Sequence, residues 1–241
     1  MYFSALAADY DGTIAHDGVV DDATYAALKG LKDSGRRLLL VTGREMHDLE
    51  QAFPHYGIFD LIVAENGALI YDPATRRERL IASPPPARFI ETLREKGVRP
   101  LTYGRVIVAT RQPYENIVLE TIRDLGLELQ IILNKGAVMV LPAGINKAAG
   151  FLAALHDLAL SPQNVVGVGD AENDTAFLEA CGCSAAVANA LPALKETCDI
   201  VLEGARGVGV AELAALMRHD ETRLITRRSR PVLASTVGDR S

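Results

Sequence analysis

The residues of this chain best suited to chemistry are four aspartates in two short segments, Asp9-Tyr10-Asp11-Gly12-Thr13 and Gly169-Asp170-Ala171-Glu172-Asn173-Asp174. Brought together, such carboxylates would repel one another unless a cation sat among them. Oxygen donors completed by water and a substrate phosphate suit magnesium, so Mg2+ is the expected cofactor. Thr42-Gly43-Arg44 adds a hydroxyl and a pliable backbone, and Lys147 adds a point charge. Backbone amides around Gly12 and Gly43 can approach an oxyanion closely. Anion donors beside a cation point to a phosphate-bearing ligand. An Asp-x-Asp pair alone carries little weight, because surface carboxylates at that spacing usually solvate a turn. A lysine at a helix start is disfavoured by the helix dipole, which favours a functional reading of Lys147.

Both ends of the sequence alternate short apolar runs with helix-like stretches, the pattern of a parallel sheet covered by helices. Residues 4–8 predict a first strand ending at Asp9, followed by a helix with Asp22 as N-cap and a stop at Gly35. Further strands are expected at 38–41 and 61–64, with a helix from about 44 to Pro54 between them and a hairpin partner at 68–71 after Asn66-Gly67. The middle changes character. Helices at 86–96 and 114–125 and strands at 106–110, 129–133 and 137–141 suggest a small α+β unit, with Asn134-Lys135-Gly136 as a hairpin turn. The alternation resumes with a helix over 146–158, strands at 165–168, 185–188 and 200–202, and helices at 173–181, 191–195 and 208–217. The expected fold is therefore α/β, a doubly wound parallel sheet with an inserted small α+β domain. Its parts are core 1–72 and 143–217, insert 73–142, and an Arg-rich tail or linker over 218–241. In such sheets ligands bind at the carboxyl ends of the strands where strand order reverses, which is where these polar segments fall.

Composition narrows the function classes. Hydrophobic residues at 49% and charged residues at 23% describe a globular chain. A net charge of -6 and a pI near 5.4 argue against a nucleic-acid partner, which calls for a basic face. No window reaches the roughly 18 apolar residues of a membrane span, and no leader pattern opens the chain, so cytoplasm is the expected compartment and no membrane partner is expected. Cys181, Cys183 and Cys198 make neither a disulfide framework nor a complete zinc set and read as core. His16, His47 and His55 lack spaced partners and read as surface.

The four segments DYDGT (9–13), TGR (42–44), Lys147 in GINK and GDAEND (169–174) stand in one order at expected strand ends and helix starts. In this the sequence resembles the haloacid dehalogenase superfamily of phosphotransferases. An insert between the second and third segments, preceded by ENGA (65–68), resembles the Cof-like subgroup with its type IIB, C2 cap. That subgroup includes sugar-phosphate and phosphoglycolate phosphatases. Its GNA element is matched only in part, by Ala188-Asn189-Ala190. The resemblance implies a Rossmann-like core and a magnesium-dependent phosphatase acting on a small-molecule phosphate ester through an aspartyl-phosphate. Asp9 would be the nucleophile and Asp11 the general acid and base. Asp9, the Asp11 carbonyl, Asp170 and Asp174 would be the metal site. Thr42 and Lys147, with backbone at Gly12 and Gly43, would bind phosphate, and Asn173 would help orient it.

Several residues keep two readings. Glu65 and Asn66 read equally as a hinge turn and as substrate contacts. Arg44 reads as a local salt bridge or as a residue facing the lid. Tyr103, Arg105, Arg111 and Lys135 read as lid residues that select the leaving group, or as solvent-facing. Two other functions fit the same segments: phosphotransfer within one sugar, as in phosphomannomutase-like relatives, and a phosphatase or sensor module of a longer chain with a further C-terminal domain beyond the Arg-rich tail.

Overall fold

The structure is a computed structural model that describes residues 3–219 and Leu224. In the first part β1 (Ala5–Ala8), α1 (Asp22–Asp33), β2 (Arg37–Val41), α2 (Met46–Ala52), β3 (Leu61–Ala64), β4 (Leu69–Asp72) and β5 (Arg77–Leu80) follow in order. Next come α3 (Ala87–Glu95), β6 (Thr102–Tyr103), β7 (Val108–Arg111), α4 (Glu115–Asp124), β8 (Leu129–Asn134) and β9 (Ala137–Pro142). The chain then continues through α5 (Lys147–Asp157), β10 (Val165–Gly169), α6 (Thr175–Ala180), β11 (Cys183–Ala186), α7 (Pro192–Thr197), β12 (Ile200–Val201) and α8 (Gly207–His219).

Eight strands form one sheet in the order β12-β11-β10-β1-β2-β3-β4-β5, parallel from β12 to β3 and antiparallel at β4 and β5. β1, β3 and β10 are buried along their whole length, as strands covered on both faces must be. The chain moves outward one way from β1 to β3 and the other way from β10 to β12. Helices cover the sheet in two groups: α1 of the first half packs on α8 of the second, and α5 packs on α6. Strand order reverses between β1 and β10, so their carboxyl ends mark the switch point.

A second, antiparallel sheet in the order β6-β7-β9-β8 carries α3 and α4 on one face. Alternation along β9 divides its side chains between two surroundings. Val138 and Val140 join Phe89, Leu93, Val118 and Ile122 in a core of their own. Met139 and Leu141 instead meet Ala68 of the large unit, together with Val106 and Ile107. The small unit thus has a helix-covered face and a face turned to the large sheet.

Two expectations are corrected. The N-cap of α1 is Asp21, whose carboxylate accepts from the Thr24 amide at 2.6 Å; Asp22 is the first helical residue. Residues 77–80, read as part of the insert, form β5 on the large sheet, so the crossing to the small sheet follows Leu80. That strand is exposed throughout and reads Arg-Glu-Arg-Leu, without the apolar pattern that marks a strand. The last helix reaches His219, and the rest of the expected tail, apart from Leu224, lies outside the described residues. Among the described residues no helix is long and apolar enough to cross a membrane.

Candidate active site

Asp9 directly follows β1, and its amide still donates to the Val168 carbonyl of β10 at 3.0 Å. The chain then turns as the Tyr10 carbonyl accepts from the amides of Thr13, Ile14 and Ala15. Gly12 takes φ +91°, and a Cβ there would lie 2.3 Å from Asp170 Oδ2, so this approach between the two strand ends requires glycine. Across the switch point Asp170 follows β10, and Asp174 accepts from the amides of Asp170 and Ala171 at 2.9 and 3.0 Å. Lys147 opens α5 behind the N-cap Asn146, which accepts from the Ala149 amide at 3.0 Å. Gly67, at φ +104°, lets that helix start come close, since a Cβ there would overlap the Asn146 carbonyl.

The Lys147 ammonium, 2% exposed, lies 2.5 Å from Asp9 Oδ1 and 2.6 Å from Asp174 Oδ1. Thr13 donates its hydroxyl to Asp9 Oδ2 at 3.0 Å. Burial, and then the nearby charge of Asp174, pushes the Asp9 carboxyl up to about 7 against the pull of Lys147. Burial would lower the Lys147 pKa, but Asp174 and Asp9 outweigh it and keep the amine protonated. Burial likewise raises Asp170, with Lys135 opposing.

Asp9, Asp170 and Asp174 each offer an oxygen, all within 4.8 Å of one another. Asp170 Oδ1 is buried and has no hydrogen-bond partner among the described residues. An all-oxygen donor set with such an uncommitted buried oxygen fits a hard divalent cation. Both Asp174 oxygens are already engaged, one by Lys147 and the other by backbone amides. Asp9 is engaged as well, by Lys147 and by the Thr13 hydroxyl, so Asp170 Oδ1 is the uncommitted oxygen of the three aspartates.

The other expected residues fall around this centre. Thr42 is buried and its hydroxyl oxygen accepts from the Arg44 amide at 3.1 Å. Gly43 lines a chamber of about 190 Å3 with Asp9, Arg44, Lys147 and Asn173, roofed by the small unit's Met139. Asn173 donates to the side chain of the buried Asn66 at 3.1 Å, which brings Asn66 to the edge of the site. Asp11 turns its carboxylate to Arg44, which grips both oxygens at 2.7 Å while lying 4.9 Å above the Tyr10 ring. A larger cleft of about 650 Å3, lined by Arg37, Asp60, Arg77 and Asp157, contains none of these residues.

Sequence reading missed three connections. Glu65 is more than a bare turn: its carboxylate accepts from the amides of Arg105, Val106 and Ile107 at 2.7, 2.7 and 2.9 Å and so fastens the small unit to the large one. Its placement before Asn66-Gly67 marks a turn but does not reveal the amides it holds. Asn189, in the partial GNA element, donates to the Gly12 carbonyl at 2.9 Å and accepts from the Arg206 amide at 2.8 Å. Of the four lid residues only Lys135 reaches the aspartates. Arg105 pairs with Glu78, Tyr103 lies beside Arg94, and Arg111 is exposed. His16, His47 and His55 are exposed, and the three cysteines are buried.

A family model described as haloacid dehalogenase-like hydrolase matches residues 6–113 and 106–213. This chain belongs to that family and is a phosphatase within it. It is 30% identical over 217 residues to a phosphoglycolate phosphatase of Methanothermobacter thermautotrophicus, covering 86% of this chain and 96% of the relative. The crystal structure of Thermoplasma acidophilum 0175 superposes with a TM-score of 0.77 at 16% identity, over 90% of this chain and 99% of that one. The subclass IIB sugar phosphatase BT4131 superposes with a TM-score of 0.70 at 16% identity, over 92% and 100% of the two chains.

Proposed function

We propose that this chain is a magnesium-dependent phosphatase for a small phosphate monoester of the phosphoglycolate type, working through an aspartyl-phosphate on Asp9. The observation that carries the reading is the Lys147 ammonium held between Asp9 and Asp174 at the switch point, beside the uncommitted Asp170 oxygen. Asp9, Asp170 and the Asp11 carbonyl, with Asp174 behind them, would hold magnesium, which would offset charge on the transferring group.

An Asp9 oxygen attacks phosphorus and the bond to the leaving oxygen breaks. Asp11 gives that oxygen a proton. In the second half Asp11 takes a proton from water, the water oxygen attacks the same phosphorus, and phosphate departs with Asp9 restored. Arg44 occupies both Asp11 oxygens, so each proton transfer requires that fork to open. The Asp11 side chain is 46% exposed, so water can take the place of the Arg44 fork when it opens. Lys147, Thr42 and the backbone at Gly43 hold the phosphate oxygens, with Asn173 and Asn66 at the edge; the Gly12 amide, also expected there, donates instead to the Ala15 carbonyl. The small unit acts as a cap that excludes water. A chamber of about 190 Å3 under Asn134, Ala137 and Met139 favours a short leaving group over a sugar, and this fits the activity named for the Methanothermobacter relative.

The test is phosphate release from phosphoglycolate, a hexose phosphate and p-nitrophenyl phosphate, with magnesium or with EDTA. We expect turnover only with magnesium, a higher kcat/KM for phosphoglycolate than for the hexose phosphate, and a loss of at least about 1000-fold in kcat for Asp9→Asn. Turnover retained in that variant would refute the nucleophile assignment.

A further inference from the structure

The tip of the β8–β9 hairpin places a cationic side chain on the atoms assigned above to the metal. Lys135 Nζ lies 2.9 Å from Asp170 Oδ2 and 3.0 Å from the Asp11 carbonyl oxygen. In sequence it stands 124 residues from Asp11 and 35 from Asp170, so only the docked small unit brings it there. Its partner Asp170 is 6% exposed, whereas the lysine side chain is 50% exposed. The ammonium therefore reaches a buried carboxylate while its stem lies along the surface.

The surroundings give this contact a direction. An outer cleft of about 350 Å3, lined by Asp11, Gly12, Asp17, Lys135, Asp170 and Asn189, opens beside the inner chamber. Asp11 and Asp170 border both spaces, and Lys135 stands in the outer one. A cation arriving from solvent by that route meets the Lys135 ammonium at the oxygens it must bind. Two positive charges cannot share Asp170 Oδ2 and the Asp11 carbonyl at hydrogen-bond distance.

We propose that Lys135 is a cap-borne competitor of the divalent cation: the docked hairpin covers two of the metal's oxygen donors with an ammonium, and metal loading requires Lys135 to swing off them. The inference rests on the magnesium reading above. It makes the small unit a gate on cofactor entry as well as a cover for substrate.

Two measurements test it on the full chain without relying on turnover. Isothermal titration with magnesium chloride compares wild type, Lys135→Met and Asp170→Ala. Removing a competitor raises the fraction of binding-competent protein, and for a half-exposed ion pair we expect Lys135→Met to bind magnesium about fivefold tighter. Hydrogen exchange should show the amides of residues 134–136 losing protection in wild type when magnesium is added, with no such change in Lys135→Met. Unchanged or weaker magnesium affinity in Lys135→Met, with binding lost in Asp170→Ala, overturns the gate and leaves the metal assignment standing. No magnesium binding in either wild type or Lys135→Met overturns both.

Discussion

Replacing Glu65 tests how firmly the two units are joined. Its carboxylate, 1% exposed, accepts three amides from residues 105–107, at the point where the small sheet meets the large unit. Hydrogen bonds to a charged group contribute about 1.5–3 kcal/mol each, so three would sum to roughly 4.5–9 kcal/mol if every amide stayed dry. Arg105 is exposed and its amide can take water, whereas Val106 and Ile107 are buried. That places Glu65→Ala near the lower end, about 4 kcal/mol. No strain is recovered, because Glu65 sits at φ +51° and alanine would be held in the same left-handed conformation. In Glu65→Gln one carbonyl oxygen can keep the Val106 and Ile107 amides while the Arg105 bond is lost, a cost of about 2 kcal/mol. Exchange at amides 105–107 should then accelerate about 30-fold in the glutamine variant and about 1000-fold in the alanine variant, at 1.36 kcal/mol per factor of ten. Urea unfolding of both variants provides the accompanying stabilities. Exchange in Glu65→Ala within threefold of wild type would show that the apolar contacts of Ala68, Val106, Ile107 and Met139 hold the small unit without the latch.

Three further outcomes follow from the site. Gly12→Ala adds a Cβ 2.3 Å from Asp170 Oδ2 at a backbone angle of φ +91°, so the two strand ends must separate; kcat/KM should fall by about 100-fold, with weaker magnesium binding by titration. Lys147→Met removes the cation between two buried carboxylates and should cost about 3–5 kcal/mol in denaturant unfolding with EDTA, less with saturating magnesium; an equal cost in both conditions would count against a cation at this site. Asp9 also makes metal-free stability pH-dependent. Its folded pKa, about 7, lies above the ordinary value of 3.8 for an aspartate, so its contribution is fully present below about 4 and is lost as pH rises through 7. Tm measured in EDTA should decline over that window, the decline should be smaller in Asp9→Asn, and an identical profile in the variant would assign the trend to other groups.

The residues legible in the sequence were those whose position follows from one local rule. Asp9, Thr42 and Asp170 end short apolar runs and Lys147 begins a helix; in a parallel sheet those ends converge whatever the loops do. β5 was missed because an exposed edge strand carries no apolar period, and the cap of α1 was misplaced by one residue because Asp21 and Asp22 are both good caps. Arg44 was visible as a residue, but its partner was not: the fork onto Asp11 spans 33 positions and depends on Arg44 lying over Tyr10. Glu65 was illegible for a related reason, since its partners are backbone amides and any residue type can supply them.

Lys135 shows why the small unit's share of the site resists sequence reading. The run Ala-Val-Met-Val-Leu in β9 reads as a buried strand, yet its two faces bury against different things, Val138 and Val140 against helices and Met139 toward the chamber. Which set faces which is decided by register. The Asn134–Ala137 pair closes a two-residue turn at Lys135 and Gly136, with φ +48° and +84°, the left-handed pair that suits the twist of a hairpin. A slip of one residue would exchange the faces of β9, point Val138 and Val140 at the site, and carry the turn away from Asp170. The position of Lys135 is thus set by valines packing on α3 and α4, on the far side of the small sheet from the carboxylates it touches. A substitution in that distant core that shifts the hairpin should therefore change magnesium affinity without altering any residue that lines the site.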